Sequence, residues 1–322
     1  MELLNHTGFD HLLFRSSLDE DTTVVSIAVR VVFRQHGKQI AIVPPTDDLL
    51  LTPAPVLTRY GPVESDLIFR RGGTDIYVYG HAYAPQPGVS RESIVSVYYN
   101  GQQRAALKVF GTRRWEGRGK NLRPGFPAPF ERVALSLGNA FGGKALWDGL
   151  EVPCGSNMFG KGYYLEAEEA QQGELPQLEF AEHQINNWQQ QPDPAGLGQF
   201  PMACSFRFQR GTEWDDEGRM KALRPEYGNV AAPGMIVPFA KAGDHIRVTG
   251  ASPAGDFSIE VPPLGMQAIL SFGEQKSEAE LYLDQIGLIP DEQTFFITYR
   301  YHFAYKVREM EKRLLEIKMN GQ

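Results

Sequence analysis

Short runs of β-branched and aromatic residues, separated by glycine and proline, recur along most of the chain. The stretch from Val24 to Phe33 is almost continuously apolar, which is typical of a strand buried on both faces. Arg30 is its only charged residue, and we expect that side chain to reach solvent. Further strands are predicted at 76–83, 133–137, 235–239, 245–249, 257–261 and 267–272. So many short strands predict an all-β protein, a β-sandwich or a barrel-like fold.

Two antiparallel strand pairs can be predicted from their turns. Asn100-Gly101 separates strands at 94–99 and 102–110, and Asn-Gly supplies the two positive φ angles of a type I′ turn. A polar turn at 290–293 joins strands at 281–288 and 294–303. The strands are therefore expected to be short and mainly antiparallel.

In the last part of the chain, the apolar residues recur with a different spacing. Phe303, Val307, Met310, Leu314 and Ile317 recur at spacings of four and three residues, which predicts one C-terminal amphipathic helix over about 303–319. A helix this short is not stable alone, so its apolar stripe must dock. The protein's own sheet is the expected docking surface, and a groove on a partner is the alternative, which makes these five residues candidate partner-binding residues.

Composition narrows the functional class. The chain of 322 residues contains 33 glycines and 22 prolines, which argues against a mainly helical protein. Its net charge of −7 offers no general attraction to nucleic acid or to anionic lipid. No stretch approaches the ~20 apolar residues of a membrane span, and the first 17 residues contain no secretory signal. We therefore expect a cytoplasmic protein that binds neither nucleic acid nor membranes.

The middle of the chain, from about residue 138 to 199, is rich in turns. We place a weakly marked domain boundary near residue 175. It divides the chain into an N-terminal β-rich region (1–175) and a C-terminal β-rich region (176–322). One continuous unit fits the sequence equally well.

Charge is distributed unevenly along the sequence. A basic loop at 113–123 contains Arg113, Arg114, Trp115 and Arg118, whereas the segment 164–182 contains six glutamates and no base. A basic loop with a tryptophan can bind an anion or an acidic protein face, and simple solvation is the alternative. These four residues form the second candidate partner-binding set.

No motif predicts catalysis, a metal or a cofactor. The segment 138–145 fits the phosphate-binding GxxxxGK pattern, but Ala145 replaces the Mg²⁺-binding hydroxyl and no helix is predicted after it. The seven histidines lack zinc-site spacing, the two cysteines are far apart, and GxSxG is absent. The alternative is a glycan hydrolase that uses His81, or Asp215 and Glu217 beside Trp214.

Several short motifs, in a fixed order, resemble a known family. The carrying residues are Asn5-His6-Thr7-Gly8-Phe9, Tyr60-Gly61, Glu64-Ser65-Asp66-Leu67, Thr74-Asp75, Gly80-His81-Ala82-Tyr83-Ala84-Pro85, Arg114-Trp115, Ala140-Phe141-Gly142-Gly143, Asn157 and Gly160-Lys161-Gly162-Tyr163. Over residues 5–200 the chain resembles an uncharacterised bacterial domain family encoded beside the VgrG and PAAR spike proteins and toxic effectors of type VI secretion systems. The resemblance to this family becomes weaker from Phe200 onward.

This resemblance implies an adaptor or chaperone without enzymatic activity or cofactor. Such a protein would bind and stabilise an effector and help to load it onto the VgrG/PAAR spike. Its expected partners are therefore the effector toxin and the spike proteins. A structural component of the spike and the glycan hydrolase remain the alternatives.

Overall fold

The computed structural model of the chain describes residues 1–37, 39–306 and 312–320. The strands in the first part are β1 (Glu2–Asn5), β2 (Asp10–Ser17), β3 (Thr22–His36), β4 (Gln39–Val43), β5 (Val56–Thr58), β6 (Gly61–Val63), β7 (Thr74–Val78), β8 (His81–Tyr83), β9 (Glu92–Tyr99), β10 (Gln102–Phe110), β11 (Trp115–Glu116), β12 (Arg123–Pro124), β13 (Arg132–Ala134) and β14 (Phe141–Gly142). They continue with β15 (Lys144–Trp147), β16 (Leu150–Pro153), β17 (Lys161–Gly162), β18 (Leu178–Phe180), β19 (Thr212–Trp214), β20 (Met220–Leu223), β21 (Ile236–Val237), β22 (His245–Thr249), β23 (Phe257–Glu260), β24 (Met266–Phe272), β25 (Gln275–Glu280), β26 (Tyr282–Ile289), β27 (Thr294–Lys306) and β28 (Arg313–Met319).

Helices are few and short in the described part of the chain. The α-helices are α1 (Ala167–Ala170) and α2 (Ser205–Gly211), and 3-10 helices lie at Asp47–Leu49, Gly119–Asn121, Leu137–Asn139, Pro225–Gly228 and Pro290–Glu292. The all-β prediction is therefore confirmed.

The largest sheet has the strand order β2-β3-β27-β26-β7-β21, and β4 pairs with the end of β3. Its pairs are antiparallel except β26 with β7, which is parallel. The apolar stretch from Val24 to Phe33 lies within β3 and is buried throughout. Its apolar run was thus a correct signal for a strand covered on both faces.

A five-stranded sheet has the order β18-β10-β9-β22-β23, and a four-stranded sheet has the order β1-β28-β24-β25. The predicted Asn-Gly hairpin forms β9 and β10, with φ angles of 48° at Asn100 and 81° at Gly101. The predicted pair across 290–293 forms β26 and β27. Both turns were therefore correctly identified.

One large apolar core joins the three sheets. It contains Ile297 from the seven-stranded sheet, Val97 from the five-stranded sheet and Ile317 from the four-stranded sheet. Strands from both sides of residue 175 pair directly, as β7 does with β26. The boundary near residue 175 stays a prediction.

The predicted C-terminal helix is wrong. Phe303 lies in β27, Leu314 and Ile317 lie in β28, and Val307 and Met310 lie outside the described residues. β28 hydrogen-bonds to β24 on one side and to β1 on the other, and this pairing outweighs a weak helical periodicity. The four-and-three spacing therefore linked Phe303 of one strand to Leu314 and Ile317 of another.

Several predicted strands are shorter than their sequence patterns. The stretch 76–83 is divided at Gly80, where φ is +96° and an added Cβ would overlap the Asp291 carboxylate. The chain changes direction there, so β7 and β8 belong to different sheets. The stretches 133–137 and 235–239 retain only β13 (Arg132–Ala134) and β21 (Ile236–Val237).

Candidate functional site

Two of the four basic-loop candidates are internal. Arg113 is buried, donates a hydrogen bond to the Glu179 carboxylate and donates another to the Pro176 carbonyl at 3.2 Å. Burial raises the pKa of Glu179 and lowers the pKa of Arg113, although each partner opposes the shift of the other. The Trp115 side chain is 1% exposed. Neither side chain offers a contact surface.

The other two basic-loop candidates lie outside. Arg114 forms an ion pair with Glu174 at 3.3 Å and donates to the Gln172 carbonyl at 3.1 Å. Arg118 is exposed and has no ion pair within the described part of the chain. Of the C-terminal candidates, Ile317 is buried, while Phe303 and Leu314 are half-buried. The apolar members of the two sets belong to different clusters, Trp115 to the smaller one and Phe303 and Ile317 to the larger one.

A second, smaller apolar core lies beside the basic loop. Its buried members are Trp115, Leu122, Phe141, Cys154, Ala170, Leu175 and Ile185. Phe141 lies shortly before β15, and Cys154 directly follows β16. This core therefore fixes both ends of the β15–β16 hairpin.

The β15–β16 hairpin, residues 144–153, is here called the finger. Its turn residues, Asp148 and Gly149, have φ angles of 49° and 76°, which is the type I′ conformation. Trp147 and Leu150 lie directly opposite each other beside this turn and are 53% and 70% exposed. Neither strand pairs with a third strand among the described residues. The finger thus exposes three large apolar side chains, since Leu146 on its other face is 51% exposed as well.

The base of the finger is anchored and its outer edge is capped. Cys154 and Gly143 form a backbone hydrogen bond of 2.8 Å at the base. The Leu146 N–H, on the outer edge, donates to the Glu169 carboxylate of α1 at 2.8 Å. Ala145, on the same face as Trp147, is buried. The finger therefore packs on the body through Ala145, while the side chains around its turn are exposed.

A second hairpin, β19–β20, exposes another tryptophan. Trp214 lies opposite Met220, and the Trp214 ring centroid is 5.7 Å from that of Phe208 in α2. All three side chains are exposed. The two exposed hairpins were missed from the sequence, although Asp148-Gly149 between short apolar runs was an available hairpin signal.

The acids of the alternative hydrolase site, Asp215 and Glu217, lie in the turn of this second hairpin. Arg219 pairs with Asp215 at 3.0 Å and with Glu217 at 2.6 Å. Hydrogen bonds from the Arg219 backbone and side chain lower the pKa of Asp215. The Asp215 carboxylate is thus held in its charged form by the neighbouring Arg219.

His81 lines a cavity of about 410 Å³. Its Nδ1 lies 2.9 Å from Oδ2 of Asp291, and the Tyr60 hydroxyl donates to Glu292 at 3.0 Å in the same cavity. Ser136 also lines it, but no hydrogen bond joins Ser136 to His81 among the described residues. The cavity contains an oriented histidine without an engaged nucleophile.

The segment that resembles a phosphate loop does not have that structure. Gly142 and Gly143 adopt positive φ angles of 147° and 100°, and the chain then enters β15 rather than a helix. Within residues 1–37, 39–306 and 312–320, no group of three or more His, Cys, Asp or Glu side chains is arranged to hold a metal ion. None of the helices described has the length and apolar composition to cross a bilayer.

Comparisons with known proteins place the chain in a family. Searches among curated proteins and among solved structures found no match. A family model described as "Uncharacterized protein conserved in bacteria (DUF2169)" matches residues 19–300. This range runs from the turn before β3 into β27 and includes the finger. The chain therefore belongs to the DUF2169 family.

Proposed function

We propose that this protein is an adaptor or chaperone of a type VI secretion system. It binds and stabilises a toxic effector and helps to load it onto the VgrG/PAAR spike. The ordered motifs over residues 5–200, described above, support this function through their resemblance to proteins encoded beside spike and effector genes.

The structural observation that carries the proposal is the pair of exposed hairpins, the finger and β19–β20. Each hairpin has two strands, presents a half-exposed tryptophan and pairs with no third strand among the described residues. Exposed apolar patches on a folded protein are typical of protein–protein contact sites. Tryptophan is also among the residues that contribute most to binding energy at such sites.

The first experiment is recovery of the partner. We expect an effector to co-purify with the tagged full-length chain from the native bacterium, and its abundance to fall when the gene is deleted. The measurement is mass spectrometry of the pull-down, with effector immunoblots in both strains. An effector that remains stable and is secreted normally in the deletion strain would contradict the proposal.

Two controls separate the alternatives. The triple variant His81→Ala, Asp215→Asn and Glu217→Gln removes the groups that a hydrolase would use, and an adaptor carrying it should still restore effector abundance. Failure of this folded variant to do so would favour hydrolysis. A spike component would be recovered with the secreted material, whereas an adaptor should remain with the cells.

A further inference from the structure

We infer that the finger is the contact site for the effector, and that it binds a positively charged polypeptide surface that contains an apolar cleft. This inference rests on the proposed function and names the surface and the partner chemistry. It follows from the exposed pair Trp147 and Leu150 and from the charge around them.

The tip of the finger has the form of an anchor for a cleft. Trp147 and Leu150 face each other across the last strand pair before the turn, so their side chains form one apolar projection. The base is tied to Cys154 and the outer edge to Glu169. A projection held in this way loses little conformational entropy when it inserts into a partner.

The chain segment that contains the finger is acidic, whereas the basic loop contacts α1 through Gly119–Asn121. Residues 144–174 contain six acids and two lysines. Lys144 pairs with Glu151, and Lys161 pairs with Glu174. Asp148, Glu166 and Glu168 are exposed and have no ion pair among the described residues. A partner with a basic surface would therefore meet unpaired carboxylates at Asp148 in the finger and at Glu166 and Glu168 in the segment that caps it.

The second hairpin lacks this electrostatic feature. In β19–β20 and its turn, Arg219 neutralises Asp215 and Glu217, and Lys221 pairs with Glu213 at 3.3 Å. Most of its charges already have partners within the hairpin. Charge complementarity therefore assigns the basic partner surface to the finger.

The test uses the full-length chain and the effector recovered in the pull-down described above, with affinity and association rate measured by biolayer interferometry. The variant Trp147→Ala/Leu150→Ala should weaken binding by about 30-fold or more, as expected when the anchor of an interface is removed. The variant Glu166→Gln/Glu168→Gln should slow association several-fold at low salt, and this difference should vanish near ~0.5 M salt. Thermal unfolding of each variant should match that of the parent, because the altered side chains are exposed.

A matched control lies at the β2–β3 turn. Leu18 is 69% exposed, close to the value for Leu150, and Glu20 is exposed beside it. The variant Leu18→Ala/Glu20→Gln should bind the effector as the parent does. Equal loss in this control would overturn the assignment of the finger.

The remaining outcomes separate the inference from the function on which it rests. If the effector binds the parent and the finger variants equally, the inference is wrong and the adaptor function stands. If the finger variants instead dissociate a dimer of this chain, the occupant is a second copy and the inference is overturned. If no effector is recovered with the parent, the proposed function fails and the inference fails with it.

Discussion

At the scale of single residues, the core contains a balanced set of charges. Three arginines and three aspartates, all almost fully buried, meet there: Arg30, Asp66, Arg71, Asp75, Asp284 and Arg300. Arg71 pairs with Asp75 at 2.7 Å and with Asp284 at 3.3 Å, and Arg300 also binds Asp284. Such a set is stable only while every charge keeps its partner.

This network was not predictable from the sequence. Arg30 was expected to reach solvent, and that expectation is wrong, because the side chain is buried and donates to Gln285 at 2.7 Å and to Asp66 at 3.3 Å. Its partners come from β26 and from the segment before β7, far away along the chain. A local pattern shows that a position is charged, but it cannot show which distant charge will meet it.

Replacing Arg300 tests the network. Arg300→Met leaves one buried carboxylate in excess, and we expect a loss of about 3–5 kcal/mol in the free energy of unfolding. Urea unfolding provides the measurement. Arg118→Met, at an exposed arginine, serves as the control and should change stability by less than about 0.5 kcal/mol. A similar small effect for Arg300→Met would show that the network contributes little.

His302 should make stability depend on pH. Burial, followed by the nearby Arg70 and Arg300, lowers the pKa of His302 below its usual 6.5. The unfolded chain therefore binds a proton at a higher pH than the folded chain does. Stability should consequently fall as the pH is lowered through about 6.5, until the folded histidine is protonated as well.

The variant His302→Asn should reduce the slope of the free energy of unfolding against pH. The measurement is the free energy of unfolding between about pH 5.5 and 8, where histidine titration dominates. His183→Asn, at an exposed histidine, is the control and should leave the slope unchanged. An unchanged slope in His302→Asn would assign the pH dependence to other groups.

At the scale of elements, turn chemistry was the most reliable sequence signal. The residues of the β9–β10 turn determine their own backbone angles, so the hairpin could be recognised locally. The pairs β11–β12 and β14–β17 contain only two residues per strand, and no periodicity can reveal them. The C-terminal strand was misread for a related reason, because its conformation is set by β1 and β24.

The candidate site was predictable only in part. The sequence showed the acidic stretch and the basic loop, but it could not show that Trp115 is internal and Trp147 external. Burial of a tryptophan depends on which elements cover it, and that information is absent from the local pattern.

The β9–β10 turn can be tested directly. Gly101 has a φ of +81°, so Gly101→Ala forces a side chain into the left-handed region and should destabilise the protein by about 1 kcal/mol. Gly155→Ala is the matched control, since Gly155 has no positive φ and no heavy atom within 4 Å of an added Cβ. Equal stability of the two variants by urea unfolding would count against the type I′ assignment.

At the scale of the whole molecule, a large and a smaller apolar core support the peripheral hairpins. The seven-stranded sheet includes β3 and β7 from the first half of the chain and β26 and β27 from the second. The base of the finger packs into the smaller apolar core through Phe141 and Cys154. Exposed apolar tips on a well-packed body fit the proposed adaptor function, in which the partner would bind without large rearrangement.

The pairing of β3 with β27 also constrains how the protein is made. Arg30 lies opposite Thr298, and the two are 268 positions apart. A ribosome must therefore translate the 268 positions from Arg30 to Thr298 before the apolar strand from Val24 to Phe33 meets this neighbour. Throughout that interval the strand is an aggregation-prone segment of the nascent chain. General molecular chaperones of the cell would be needed first at this segment.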